Sequence, residues 1–227
     1  MLRFIKLEFR KIKTRYCFLG MALLLLALLM FANISIHASV QDTPRNAYKN
    51  ILKLINMAVM ECFTIYGAVL TAKIVISEYT ERSALVMLTY PVEPKKWIIA
   101  KLCIVSFFVM AGTMCGNLLC TGFVVWRDSS RDIVQGVFSR GDLYQIAGLT
   151  VVSMIWNGFG ILFPFAIGMI KKSVSATIVS AVFLVLIFQI MLTQTENIRE
   201  LILSGIWLVL FFLIAFEVVC RKSIKSV

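Results

Sequence analysis

Apolar residues in this chain come in long runs divided by short polar segments. Six runs stand out, at 16–38, 51–76, 97–126, 143–170, 174–193 and 201–220. A helix rises 1.5 Å per residue, so about 20 apolar residues cover a hydrocarbon core roughly 30 Å thick. Each run therefore predicts one membrane-spanning helix. The connections are an outer loop near 39–50, an inner loop at 77–96, an outer loop at 127–142, a tight inner turn at Lys171-Lys172 and a short outer turn at 194–200. The pattern predicts an all-α integral membrane protein, with six transmembrane helices forming one domain over 16–227. The third and fourth runs exceed what the bilayer needs, so they should tilt, bend or project. Pro164, with Gly158 and Gly160 close by, marks the place for the fourth to bend.

Residues 1–15 have a different rhythm. Leu2, Ile5, Phe9 and Ile12 recur at helical spacing, and Arg3, Lys6, Arg10 and Lys13 repeat it one position later. A helix here carries an apolar stripe beside a cationic one, which suits the interface of a membrane with anionic headgroups. A signal peptide fits less well. The apolar run next to this segment is too long, and Ile36-His37-Ala38 places bulky residues where cleavage needs small ones.

Charge placement sets the orientation. Six lysines and arginines lie in the first 15 residues, five between Lys73 and Lys101, two at Lys171-Lys172, and three at Arg221, Lys222 and Lys225. That makes sixteen on one side. The other side holds seven: Arg45, Lys49, Lys53, Arg127, Arg131, Arg140 and Arg199. Positive residues collect on the cytoplasmic face, so both termini are expected in the cytoplasm and the chain in the cell membrane.

Composition agrees: 60% of the 227 residues are hydrophobic and 15% charged, against about 25% charged in soluble domains. The net charge of +11 sits at helix ends on alternate connections, which argues against nucleic acid as a partner. The six cysteines (17, 62, 103, 115, 120 and 220) fall in or at the ends of apolar runs with no CxxC pair. They read as small buried hydrophobes rather than as a disulfide framework or zinc site.

Catalytic chemistry finds little support. The lone histidine, His37, ends the first run, and no HExxH, GxSxG or GxxxxGK[ST] motif occurs. No catalytic residue, metal site or cofactor is expected in this chain. Glu61 is the charge placed deepest in a run, about 15 Å along the second helix. Either it lines a substrate path or faces a symmetry mate, or its carboxyl hydrogen-bonds a neighbouring helix. Lys53 lies eight residues earlier and roughly 80° around, so it cannot pair with Glu61 within the helix. Glu217 has Arg221 one turn later. Asn117, Asn157 and Gln189 read as hydrogen-bonding residues between helices, and Gly112-x-x-x-Gly116 permits close helix contact.

The inner loop carries the most information. Glu78 and Arg82 are one turn apart, with Glu81 beside them, and Ala84 to Leu88 is apolar but too short to span. Tyr90-Pro91 stops any helix, and Lys95-Lys96 lead into the third run. A short amphipathic helix along the cytoplasmic face, ending in a turn, is the simplest reading.

This loop resembles that of permease subunits of ATP-binding-cassette transporters of the type-2 exporter family. The matching features are the acidic Glu78, the apolar stretch from Leu85 to Leu88, Tyr90-Pro91, Lys95-Lys96, and Lys101 one turn into the third span. The basic N-terminal segment and six spans fit over the whole chain. Arg82-Ser83 stand where many members have Gly-Thr, and only about seven residues separate the last two spans. The short chain is nearest in style to small bacitracin-type and lantibiotic-immunity permeases.

The resemblance implies a connector helix at 1–15 and a coupling loop at 77–96. Glu78, Glu81, Arg82, Leu85, Tyr90, Pro91, Lys95 and Lys96 would serve contact with an ATPase. It also implies cytoplasmic ATPase subunits that bind ATP and Mg, a second permease copy or similar chain, and export of an amphipathic peptide or lipid-like cargo. A membrane scaffold docking a signalling protein and an ion-coupled secondary transporter are the rival classes; the latter needs a midplane ion site. The charge bias predicts that single cysteines at Ser129 and Thr195, in a cysteine-free background, label from outside intact cells. Cysteines at Thr80 and Ser223 are expected not to, and outside labelling at 80 would overturn the six-span topology.

Overall fold

A computed structural model of the chain describes residues 14–38, 47–77, 94–131 and 140–194, with single helical positions at 206, 210 and 217. Every described segment is helical, and the described residues contain no strand. The elements are α1 (Thr14–Ala38), α2 (Ala47–Thr71), which continues directly as a π-turn (Ala72–Ile76), and α3 (Pro94–Arg131). Then come α4 (Arg140–Gly160), α5 (Leu162–Lys171) and α6 (Val174–Gln194). Four stretches are long and apolar enough to cross a membrane: Arg15–Ile36, Asn50–Ile76, Ile98–Asp128 and Leu143–Lys171. Val174–Ile187 in α6 is a shorter apolar stretch. The interfacial helix expected at 1–15 (save Thr14 and Arg15, which begin α1), nearly all of the inner loop, and the sixth run at 201–220 lie outside the described residues, apart from the three single positions.

The bundle is centred on α2. Phe63 is fully buried, and its ring lies across Gly112 and Gly116 of α3. A methyl group at Gly112 would run into that ring, and one at Gly116 would sit 3.1 Å from both Phe63 and Val59. The Gly112-x-x-x-Gly116 spacing thus makes a seat for an aromatic ring between two helices. Gly67 packs the other way, towards Val109 of α3 and Ile161 at the α4–α5 junction.

Helix α1 lies at the edge. Its apolar residues have no polar face to turn outward, and Leu19, Leu23, Leu26, Met30 and Ile34 are all more than 60% exposed. Its inner side packs into the core through Leu28, Ala32 and Ile36; at one end the Tyr66 hydroxyl of α2 donates to the Cys17 carbonyl at 2.6 Å, and Phe18 meets Phe108 of α3 edge-on at 5.3 Å. Near the same end, Lys73 lies 6.0 Å from the Tyr16 ring centre, within reach of a cation–π attraction.

The fourth run breaks where its proline and glycines indicated. Helix α4 ends at Gly160 and α5 begins at Leu162, with Phe165 N–H bonding back to the Ile161 carbonyl at 3.2 Å. Pro164 has no N–H to offer the Gly160 carbonyl, and its ring crowds that group. Ser106 of α3 donates to the nearby Gly158 carbonyl at 2.9 Å, a side chain from a neighbouring helix serving backbone at a break. Helix α3, by contrast, is unbroken over 38 residues, about 57 Å at 1.5 Å per residue, so it projects beyond a 30 Å core.

The Lys171-Lys172 turn is tight. Lys172 adopts the left-handed conformation (φ 48°, ψ 40°), and Ser173 N–H reaches the Gly168 carbonyl at 3.3 Å. Gly168 is pressed against the Thr177 hydroxyl of α6 and Ile76 of the π-turn, leaving no room for a side chain. One cysteine expectation needs correction. Cys17 and Cys120 are buried, but Cys103 and Cys115 are exposed on α3. In a membrane bundle the outer surface is as apolar as the core, so hydrophobicity alone does not place a residue inside.

The Phe63 seat generates a stability prediction. Gly112→Ala should destabilise the purified protein by about 1–3 kcal/mol, the range for overpacking a filled core. Adding Phe63→Leu should recover part of the loss. Thermal unfolding in detergent reads both, and equal stability of Gly112→Ala and the unmutated chain would refute the packing.

Candidate functional site

Polar side chains from α2, α3 and α4 meet inside the bundle on two levels. On one, Asn56 Nδ2 donates to Asn117 Oδ1 at 3.2 Å and to Ser153 Oγ at 3.4 Å, and Asn117 Nδ2 donates to the same Oγ at 3.4 Å. Ser153 passes its own proton to the Thr150 carbonyl at 3.0 Å. One turn along each helix, towards the Ser77 end of α2, is the second level. Asn157 Nδ2 donates to the Met60 carbonyl at 3.2 Å and to Thr113 Oγ1 at 3.0 Å, and the Thr64 hydroxyl lies 2.8 Å from Asn157 Oδ1. Thr64 is also 2.7 Å from the Met60 carbonyl, and its single proton serves one acceptor at a time. Asn56, Thr64, Thr113, Asn117, Ser153 and Asn157 are all buried.

Within this seam Asn157 makes the most bonds. Both N–H bonds of Asn157 are used, and its oxygen shares the Thr64 proton with the Met60 carbonyl. Its physical role is to tie three helices together where lipid gives no hydrophobic pull between them. Asn117 and Asn157 do form the interhelical hydrogen bonds expected of them. Nothing in the sequence pattern singles out Asn56, Thr64, Thr113 and Ser153. Serines and threonines in apolar helices commonly bond their own backbone, as Thr64 and Thr113 also do here.

A second polar feature sits where α2 and α3 approach the inner loop. Lys101 of α3 is fully buried, and its Nζ donates to the Ile74 carbonyl in the π-turn at 3.1 Å. Charge counting places this lysine at an inner flank; the fold draws it inside.

Glu61 is elsewhere. It is half-buried on a strip of α2 that includes the exposed Leu54 and Val69, turned away from the Asn56–Asn117 contact. Among the described residues, none hydrogen-bonds its carboxyl. Of the residues expected to meet an ATPase, Glu78, Glu81, Arg82, Leu85, Tyr90 and Pro91 lie outside the described residues. Lys95 and Lys96 form the first turn of α3. No group of three or more His, Cys, Asp or Glu side chains that could hold a metal occurs among the described residues.

The family model described as ABC-2 family transporter protein matches residues 4–189, most of the 227-residue chain. The chain belongs to the ABC-2 transporter family. With four helices long and apolar enough to cross a membrane, it is accordingly a multi-pass membrane protein of the family that the inner loop resembled. The chain is also similar to the uncharacterized protein YcbO of Bacillus subtilis (strain 168), at 34% identity over 138 residues. That similarity covers 59% of this chain and 59% of YcbO. No solved structure matches the chain.

The seam makes Asn157 the most sensitive of the buried amides. An interhelical hydrogen bond in a membrane protein averages about 0.6 kcal/mol, so Asn157→Ala should cost about 2 kcal/mol. Asn56→Ala should cost less, since its bonds are longer. Thermal unfolding in detergent micelles orders the two variants, and the reverse order would count against Asn157 as the main tie.

Proposed function

We propose that this chain is the membrane-spanning permease of an ATP-binding-cassette exporter. The observation that carries the reading is the ABC-2 family match across 4–189, with the family's loop features at Glu78, Tyr90-Pro91, Lys95-Lys96 and Lys101 in support. The finer architecture is six spans, with α6 and 201–220 as the last two, an interfacial connector over 1–15, and cytoplasmic termini in the cell membrane. The permease works as a homodimer or beside a similar permease. Two cytoplasmic ATPase subunits bind ATP and Mg and dock on the loop at 77–96, so hydrolysis belongs to the partner and not to this chain.

Transport requires two states of the permease that differ in affinity for cargo, with ATP binding shifting the balance between them. The cargo is an amphipathic peptide or lipid-like compound, taken from the inner leaflet or from between the permease subunits. The half-buried Glu61 carboxyl, on the outer strip of α2, supports a place for that residue on the cargo path or against the second permease. A charged group at that depth is costly when left facing lipid.

Glu78→Ala with Arg82→Ala is the direct test. That pair is worth about 0.3–0.5 kcal/mol to its own helix if exposed, so expression and insertion should survive. Transport should fall at least tenfold, with weaker ATPase co-purification or hydrolysis that no longer answers to cargo. Normal assembly with normal cargo-stimulated hydrolysis would remove the pair from coupling. A chain that brings down no nucleotide-binding partner even unmutated would overturn the exporter reading and favour a membrane scaffold.

A further inference from the structure

The inner ends of α2 and α3 are joined through a lysine whose burial the exporter function leaves unexplained. Lys101 lies two turns into α3 and is 0% exposed. An ammonium is a costly way to fill buried space, because it must find hydrogen-bond acceptors there. One acceptor it finds is the carbonyl of Ile74, the middle residue of the π-turn Ala72–Ile76. A π-turn bonds each N–H five residues back instead of four, so it holds one residue more than an α-helical turn would. Such turns occur mostly as single interruptions of α-helices, and this one falls at the end of α2, immediately before Ser77 and the inner loop.

The turn is gripped from its other sides as well. Ala72, Val75 and Ile76 are at most 1% exposed. The Ile76 side chain abuts Gly168 of α5, which is pressed in turn against Thr177 of α6. Apolar packing of this kind holds the turn in place without dictating which carbonyl each N–H should find. Two polar bonds do discriminate: the Ser77 hydroxyl donates to the Lys73 carbonyl within the turn, and from α3 the Lys101 ammonium is aimed at the Ile74 carbonyl.

We propose that Lys101 is a positioning residue that holds Ala72–Ile76 in its π register and so fixes the angular setting of Ser77 against α3. Losing the bond lets the turn relax to α-helical register. A one-residue change of register rotates Ser77 and the start of the inner loop by about 100°. On the exporter reading, on which this consequence rests, the rotation misaligns the two roots of the segment that meets the ATPase.

The experiment uses the full chain with nitroxide labels on Ser77→Cys and on the native Cys115, which is exposed on α3, the other cysteines being replaced. Pulsed electron spin resonance reads the distance between them. The unmutated chain and Lys101→Arg should give the same single peak, and Lys101→Met should shift or split it by several ångström. Methionine fills similar space without a charge. Lys101→Gln, polar but too short to reach Ile74, carries the same expectation should Lys101→Met not fold. In complex with the co-purified ATPase, Lys101→Met should also hydrolyse ATP at least tenfold more slowly than Lys101→Arg. An unshifted peak in Lys101→Met or Lys101→Gln overturns the proposal, whatever the hydrolysis rate. A shifted peak supports it even where no ATPase partner is found, an outcome that would sink the exporter reading alone.

Discussion

Lipid removes the force that assembles most proteins. Hydrocarbon tails are as apolar as leucine, so helices in a bilayer gain little by hiding apolar surface from their surroundings. What remains is close packing and hydrogen bonding, and the bundle uses both at α2. The Phe63 ring on Gly112 and Gly116 supplies the packing, and the Asn157 amide supplies the bonds. The two reinforce each other, because Thr113, which accepts from Asn157, lies next to Gly112 in sequence. Close approach of the backbones brings polar atoms within reach, and those bonds then hold the backbones close.

The same constraint ranks the helices. Those carrying buried amides, α2, α3 and α4, form the fixed part of the molecule. Helix α1 carries its exposed leucines along an edge and is held by the buried Leu28, Ala32 and Ile36, the Tyr66 bond and the Phe18–Phe108 contact. Helices α5 and α6 join through the hairpin at Gly168, Lys172 and Thr177. At one end of the molecule, then, an aromatic edge, a buried lysine and a tight turn all close upon the π-turn.

Much of this was legible in the sequence. The first four runs emerge as membrane-length helices within a few residues of where hydropathy placed them, because length and apolarity are local properties. The Pro164 break and the Lys171-Lys172 turn are equally local in origin. The partners of Asn117 and Asn157 were not legible, since they depend on which faces of three helices meet. The depth of Lys101 was hidden for a related reason: a lysine near the end of an apolar run reads as an anchor, and only packing against Ile74 shows it turned inward. Cys103 and Cys115 mislead in the opposite sense, because lipid-facing and core positions share one composition. The interfacial helix at 1–15, the coupling helix in the inner loop and the sixth run fall almost wholly outside the described residues.

The seam also sets a timetable for biogenesis. Thr64 and Asn157 are 93 residues apart, and Asn56 and Ser153 are 97. At about 5–20 residues per second, α2 emerges from the ribosome about 5–20 seconds before the side chains of α4 that complete its bonds. Through that interval Asn56 sits within an apolar helix whose partners are still being made, Asn117 first and Ser153 last. The nascent chain must therefore be sheltered as a group of helices rather than released one at a time. The demand on the insertion machinery is set by the spacing of a few amides, and not by how hydrophobic each helix is.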